Sequence, residues 1–486
     1  MNPPRPLVLL ILDGWGLSAP GPGNAISQSF TPNLNRFWKD YHHTQLQASG
    51  EAVGLPAHED GNTETGHLNL GAGHIVYQDL PRINLSIADG SFFQNPAFLS
   101  AINHVTTHKS SLHLMGLVGQ GNVHASLNHL FALLRLTHYH HLNPFLHLFT
   151  DGRDSSPTSA PELISQVESE CKKLGTGQIA TISGRYFAMD RDQRWDRTEA
   201  AYLTLTSGSP VTAPDALTAI NQAYQQGQTD EFIQPTTIIS GGLIKDNDAV
   251  IFFNFRIDRP RQLTRAFTLP NFESINQPIA TFDPYAVKYF KKHSPELNVT
   301  TKPFTRQKIL HNLSFVTMTE YEAGLPVQVA FPPQVIPNPL GKVLSDNHKT
   351  QLRATETEKE RFVTYYFNGF HEAAFPQEDR LIIPSPQVAT YDLRPAMSAL
   401  ELTSSLIDRI KAHTYDVIIV NFPNPDMVAH TGNLKATIEA CQVTDTSVGQ
   451  IVEVVLPLNG AVIITADHGN AEELIDLQTG QVDTEH

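Results

Sequence analysis

Residues 61–67 read GNTETGH, two hydroxyls, a carboxylate and an imidazole behind a glycine turn. Thr63 or Thr65 could act as a nucleophile there, and the same residues could simply open a helix with a capping hydroxyl. In PDMVAH, Asp426 and His430 stand at i and i+4. On a helix turn that spacing sends both side chains from one face, as two ligands of one metal require. A capping aspartate and a surface histidine give the same spacing. In ADHGN, Asp467 and His468 end an apolar run, where neighbours splay and could serve two different ions; a plain strand-terminal turn is the competing reading. Asp13 closes LVLLILD, a costly place for a carboxylate unless it is solvated, paired or metal-bound. Together, oxygen and nitrogen donors without thiolates suit Mn²⁺ or Zn²⁺ ahead of Mg²⁺. Two such ions bind phosphate oxygens, lower the pKa of a hydroxyl and stabilise in-line displacement at phosphorus.

A second chemistry lies in the middle of the chain. DGRD, SGRYFAMDRD and NFRIDR place Arg153, Arg185, Arg256 and Arg259 at or after strand ends. Guanidinium is a natural fork for phosphate and carboxylate. Arg194 and Arg197, in the alternating DRDQRWDR, read instead as a solvated helix face. His124 in GNVHASLNH suits a substrate contact or proton shuttle, whereas His129 packs or caps. The HYHH cluster at 138–141 lacks a carboxylate nearby in sequence and reads as a solvated helix end. GLVGQGN lacks the third glycine spacing of a dinucleotide loop.

Positioning these groups takes strands. Apolar runs recur at 7–13, 111–118, 144–152, 178–185, 249–256, 315–321, 416–422 and 461–467. They are near-continuous rather than alternating, which marks strands covered on both faces in a parallel α/β sheet. Helical stretches such as 433–456 lie between them. Ligands of such sheets sit outside the carboxyl ends of the strands. Asp and His gather toward both chain ends (Asp13, Asp426, His430, Asp467, His468, His486) and arginine in the middle, Arg191 included. That predicts a metal domain from residues 1–77 and 315–486 with an inserted anion-binding domain over 78–314. The formal charge of −15 argues against a nucleic-acid surface. Two distant cysteines without a CxxC fit a reduced, cytoplasmic protein, and no run is long enough for a membrane span.

The ordered segments LDGWG, GNTETGHLNLGAG, GNVHASLNHLFALL, DGRDSSPTSA, SGRYFAMDRDQRW, VIFFNFRIDR, QLRATETEK, NPDMVAHTG and TADHGNAEE resemble the cofactor-independent (2,3-bisphosphoglycerate-independent) phosphoglycerate mutases of the alkaline phosphatase superfamily. The resemblance runs across nearly the whole chain. It implies an α/β alkaline-phosphatase-like metal domain with an inserted substrate-binding domain. It implies one ion held by Asp426, His430 and His486, and another by Asp13, the nucleophile hydroxyl, Asp467 and His468. The family's nucleophilic serine falls on Thr63, and its substrate positions on His124, Arg153, Asp154, Arg185, Arg191, Arg256, Arg259 and Lys359; Asp154 and Lys359 are also expected in catalysis. The implied reaction interconverts 3-phosphoglycerate and 2-phosphoglycerate in glycolysis and gluconeogenesis, on a monomer, with two divalent ions and no bisphosphoglycerate. Mn²⁺ is the first expectation, with Mg²⁺, Co²⁺ or Zn²⁺ as the others.

Two departures stand out. Thr63 replaces serine, and its β-methyl restricts χ1. The family continues past the T-x-H motif, whereas the sequence stops at His486, so either the sequence is a fragment or the metal site has a frayed arm. The polar stretch 283–312 reads as an extended loop without a role. A metal-dependent phosphatase or other phosphomutase, and an inactive relative, are the competing functional readings.

Overall fold

The computed structural model describes residues 4–274, 302–476 and 479–484. The strands, in chain order, are β1 Leu7–Leu12, β2 Leu112–Val118, β3 Phe145–Thr150, β4 Gln178–Gly184, β5 Thr236–Thr237, β6 Ala249–Phe252, β7 Ser314–Thr319, β8 Gln328–Phe331, β9 Gln351–Glu356, β10 Glu378–Ile383, β11 Val417–Phe422 and β12 Ala461–Thr465. The chain divides into two compact units, residues 1–81 with 334–486, and residues 82–333.

The first unit holds a sheet ordered β10-β9-β11-β1-β12, parallel throughout. β1 can lie inside it, between β11 and β12, because Val8, Leu10, Ile11 and Leu12 are all buried. Val8, Leu10 and Leu12 share one core with Ile418, Val420 and Phe422 of β11 and with Val448, Ile451, Val452 and Val455 of the helix Leu434–Val455. That helix covers the sheet, as a parallel crossover requires. β12 is an edge strand, and it departs from the expected burial on both faces: Ile463 is 51% exposed.

The second unit holds a sheet ordered β5-β4-β3-β2-β6-β7-β8, parallel except for the short antiparallel β5. The chain lays down β2, β3 and β4 outward in one direction and β6, β7 and β8 in the other. The direction switches between β2 and β6, where open parallel sheets leave a crevice at the carboxyl ends. β7 pairs with β6 in register from Ala249–Ser314 to Phe252–Thr317, so the expected crossing near residue 314 is corrected: the 315–321 run belongs to the second unit, which continues to Pro333. The expected crossing near residue 77 falls at Pro81. Of the stretch 283–312, residues 283–301 lie outside the described residues; in the rest, buried Arg306 pairs with Glu273 at 2.7 Å. No described helix is long and apolar enough to cross a membrane.

Candidate functional site

In the first unit, Asp13 follows β1, and Asp467 and His468 follow β12. Asp426 lies on the helix Asn424–Ala429, one residue after β11, and Lys359 ends the turn after β9. The strand ends therefore converge four separated segments on one place. Gly14 makes this convergence feasible: its φ is +68°, and a Cβ there would meet Asp426 Cβ at 2.9 Å. GNTETGH supplies the fifth segment. Asn62 caps the helix Thr63–Ala72 by accepting the Thr65 N–H at 2.9 Å, which makes Thr63 its first residue. The capping role foreseen for a threonine hydroxyl thus belongs to Asn62. Gly66 lets the helix lie against the Asp467 turn, since a Cβ there would stand 2.4 Å from the Asp467 carbonyl oxygen.

Asp13, Asp426, Asp467, His468, Thr63 and Lys359 are all buried. The Thr63 hydroxyl donates to Asp13 Oδ1 at 3.4 Å, meets His468 Nε2 at 3.0 Å, and accepts from Lys359 Nζ at 2.7 Å. Lys359 spends its other two protons on Asp13 Oδ1 at 2.9 Å and Asp426 Oδ2 at 2.8 Å. Burial works against the Lys359 charge, but Asp13, Asp426 and Asp467 outweigh it and hold its pKa above the ordinary lysine range. Burial likewise opposes protonated His468, and Asp467, Asp13 and Asp426 overcome it, pushing its pKa up to about 10. None of these hydrogen bonds involves Thr65.

This donor set fits divalent metal. Asp13, Asp426 and His468 bring ligand atoms within 4.8 Å of one another, and so do Asp13, His67 and Asp467. Three buried carboxylates face one ammonium, so further positive charge is favoured there. His430 is at the margin, 37% exposed, with Nε2 3.4 Å from Asp426 Oδ1 and Nδ1 2.9 Å from the Thr484 carbonyl oxygen. His486 lies outside the described residues.

Three neighbours of this cluster escaped the sequence reading. His67 Nδ1 lies 3.2 Å from Asp467 Oδ2 and 3.0 Å from the Thr63 carbonyl oxygen. Its position one helical turn after Thr63 was the available signal. Asn421 donates to Asp13 Oδ2 at 2.7 Å, and Asn470 to Asp426 Oδ1 at 2.7 Å. Each asparagine occupies one oxygen of a carboxylate and leaves the other for Lys359. Asparagines in a strand and a turn carry no such message in sequence.

In the second unit the groups follow β2, β3, β4 and β6. The loops after β2 and β3 press together: a Cβ on Gly121 would meet the Asp154 carbonyl oxygen at 2.2 Å, which accounts for the last glycine of GLVGQGN. Arg185 is buried and donates through Nη1 to Asp151 Oδ1 and to Asp154 Oδ2, both at 2.5 Å. Arg191 Nη1 donates to Asp258 Oδ2 at 2.6 Å, and Arg256 Nε lies 3.4 Å from Asp258 Oδ1. Arg259 Nη1 donates to the Met189 carbonyl oxygen at 3.2 Å. Arg153 is the outlier, more than half exposed and 3.8 Å from Glu231. His124 Nε2 lies 3.6 Å from Asp154 Oδ2.

The buried Nε groups of Arg185 and Arg259 have no hydrogen-bond acceptor among the described residues. Burial, helped by Arg185, Arg191 and Arg153, lowers the Arg259 pKa to about 10. Buried N–H donors on crowded cations are what an oxyanion would satisfy. His129, as expected, is a packing residue, buried and 3.0 Å from Asn84. Asp258, inside NFRIDR, carries no sequence signal of its own beside the neighbouring arginines.

Residues 83–323 match the family model described as the BPG-independent PGAM N-terminus. The chain is 49% identical to the 2,3-bisphosphoglycerate-independent phosphoglycerate mutase of Chloroflexus aurantiacus, over 100% of the chain and 89% of that protein. It is 48% identical to the enzyme of the same name from Moorella thermoacetica, over 97% and 86%. Among solved structures, the phosphoglycerate mutase of Leishmania mexicana, crystallised at low cobalt concentration, aligns with a TM-score of 0.51. That alignment has 27% identity and covers 100% of this chain and 88% of the other.

Proposed function

The chain belongs to the 2,3-bisphosphoglycerate-independent phosphoglycerate mutases, and from that premise we infer that it interconverts 3-phosphoglycerate and 2-phosphoglycerate through a phospho-enzyme on Thr63. The observation that carries the nucleophile is the Thr63 hydroxyl, which accepts from Lys359 Nζ at 2.7 Å within a ring of buried carboxylates. As Oγ1 attacks phosphorus and loses its proton, Lys359 is already placed to stabilise the charge that develops. The helix that begins at Thr63 turns its positive end toward the incoming phosphoryl group.

Asp13, Thr63, Asp467 and His468 would hold one divalent ion, and Asp426 with His430 and His486 another. Mn²⁺ comes first, with Mg²⁺, Co²⁺ or Zn²⁺ as the other candidates. Bound there, such ions neutralise phosphoryl oxygens and acidify the hydroxyl. In the inserted unit, Arg153, Arg185, Arg191, Arg256 and Arg259 grip the carboxylate and phosphate of the substrate. Asp154 protonates the departing glycerate oxygen and later takes a proton from the hydroxyl that receives the phosphoryl group back. His124 contacts the glycerate. We place the enzyme in glycolysis and gluconeogenesis, in the cytoplasm, acting as a monomer without bisphosphoglycerate.

The test is turnover. Purified protein with Mn²⁺ receives 3-phosphoglycerate without bisphosphoglycerate, and 2-phosphoglycerate and free phosphate are both followed. Chelator-sensitive 2-phosphoglycerate is the expected product. Free phosphate alone would make the chain a hydrolase.

A further inference from the structure

His124 stands between two carboxylates. Nε2 faces Asp154 Oδ2 at 3.6 Å, and Nδ1 faces Asp258 Oδ1 at 3.7 Å. Burial is the main cause that lowers the His124 pKa to about 3; the Asp258 charge opposes it, and Arg185, Arg256 and Arg259 add to it. The ring is therefore neutral and carries a single N–H, which only one of the two carboxylates can receive.

The two acids differ in need. Asp154 Oδ2 already accepts from Arg185 Nη1 at 2.5 Å. Asp258 Oδ1 and His124 Nδ1 are both buried and both without a hydrogen-bond partner among the described residues, and they face each other. Arg256 Nε, at 3.4 Å from Asp258 Oδ1, supplies charge rather than a hydrogen bond. A buried carboxylate oxygen left without a donor is costly, so the single proton belongs on Nδ1.

We propose that Asp258 is a positioning residue that fixes the His124 tautomer, holding the proton on Nδ1 and leaving Nε2 bare beside Asp154. A bare Nε2 is a neutral hydrogen-bond acceptor beside guanidiniums that can only donate. It selects a substrate that carries a hydroxyl next to its anionic groups. For a phosphoglycerate that group is the free hydroxyl, held on Nε2 beside Asp154. The hydroxyl assignment rests on the mutase reading above; the tautomer assignment does not.

Nitrogen-15 NMR of histidine-labelled protein, with His124→Gln to assign the signal, shows which ring nitrogen is protonated. In the unmodified protein at neutral pH the proton is expected on Nδ1. In Asp258→Asn the carboxamide oxygen stays with Arg191, and its NH₂ turns to Nδ1, which drives the proton to Nε2. That variant should lose about tenfold in kcat/KM, the worth of one hydrogen bond made to the wrong partner. A merely structural Asp258 would leave the tautomer where it was. A proton on Nε2 or on both nitrogens in the unmodified protein overturns the proposal, even should the variant fail to fold. An unchanged tautomer in folded Asp258→Asn overturns it too. Were the tautomers as expected but mutase turnover absent in the unmodified protein, the functional reading would fall and the Asp258 assignment would stand.

Discussion

At the carboxyl ends of the strands, the unit formed from both chain ends buries Asp13, Asp426 and Asp467, whereas the inserted unit buries Arg185 and half-buries Arg259. The two sheets are alike in their parallel core, and the sites occupy the same topological place. The difference is in the sign of the charge left uncompensated. One set of groups draws in a lysine and, on the proposed function, metal ions. The other leaves guanidinium N–H groups for an anion. Architecture chose the location twice, and a few side chains at the strand ends chose the ligand class each time.

The sharpest break of this contrast is Thr63→Ala. If the carboxylate cluster exists to activate that hydroxyl, phosphoryl transfer should fall by at least about 10³-fold, while Thr65→Ala keeps most of it. Loss of transfer only in the second variant would sink the assignment. Next comes Arg185→Lys, which keeps the charge but not the fork. It should raise KM for 3-phosphoglycerate by about 10–100-fold and leave Mn²⁺ affinity alone, measured by calorimetry. A parallel loss of Mn²⁺ affinity would show that the two chemistries are not separable.

Metal removal should act on the carboxylate unit. At about 100 times its Kd, Mn²⁺ should add about 2.7 kcal/mol to the unfolding free energy, a gain abolished by chelator and visible in thermal melts. Inorganic phosphate in place of Mn²⁺ should stabilise through the arginines and remain insensitive to chelator. The smallest effect is in pH. In the first unit, burial of Glu356 raises its pKa from an ordinary 4.5 to about 7. A folded pKa above the unfolded one gives stability that is complete below pH 4.5 and lost as pH rises through about 7. Glu356→Gln should therefore raise the melting temperature at pH 8, by about 1 kcal/mol of stability, and leave it unchanged at pH 4. In the second unit, burial lowers the pKa values of His113 and His147, so their contribution is present above the ordinary 6.5 and fades as pH falls below it. Equal pH slopes in the two units would erase this last contrast.

Much of this was legible in the sequence, for a physical reason. Strands covered on both faces must be apolar, and all eight apolar runs are strands. β9 was not legible, although it is buried along its length. Its sequence, QLRATE, is polar, and pairing among neighbouring groups offsets part of the cost of burial. Arg353, for example, donates to Gln351 Oε1 at 2.8 Å and to Asn368 Oδ1 at 3.2 Å. A pairing of that kind is a property of the fold and leaves no period in the chain. The reactive groups were visible where an Asp or Arg ended an apolar run. Asn421, Asn470 and Asp258 were not, because each acts through another side chain rather than through its own charge or hydroxyl.

The placement of β1 sets a timetable for synthesis. Its partners are β11 and β12, and Asn421 stands 408 positions from the Asp13 it contacts. The inserted unit is contiguous from residue 82 to 333 and has its own sheet, so it can fold while the ribosome is still working. Leu7–Leu12 leaves the ribosome long before β11 and β12 and waits for them as an apolar strand with two open edges. A strand made early is thus sheltered late, and the carboxylate cluster cannot assemble before β12 has docked beside β1.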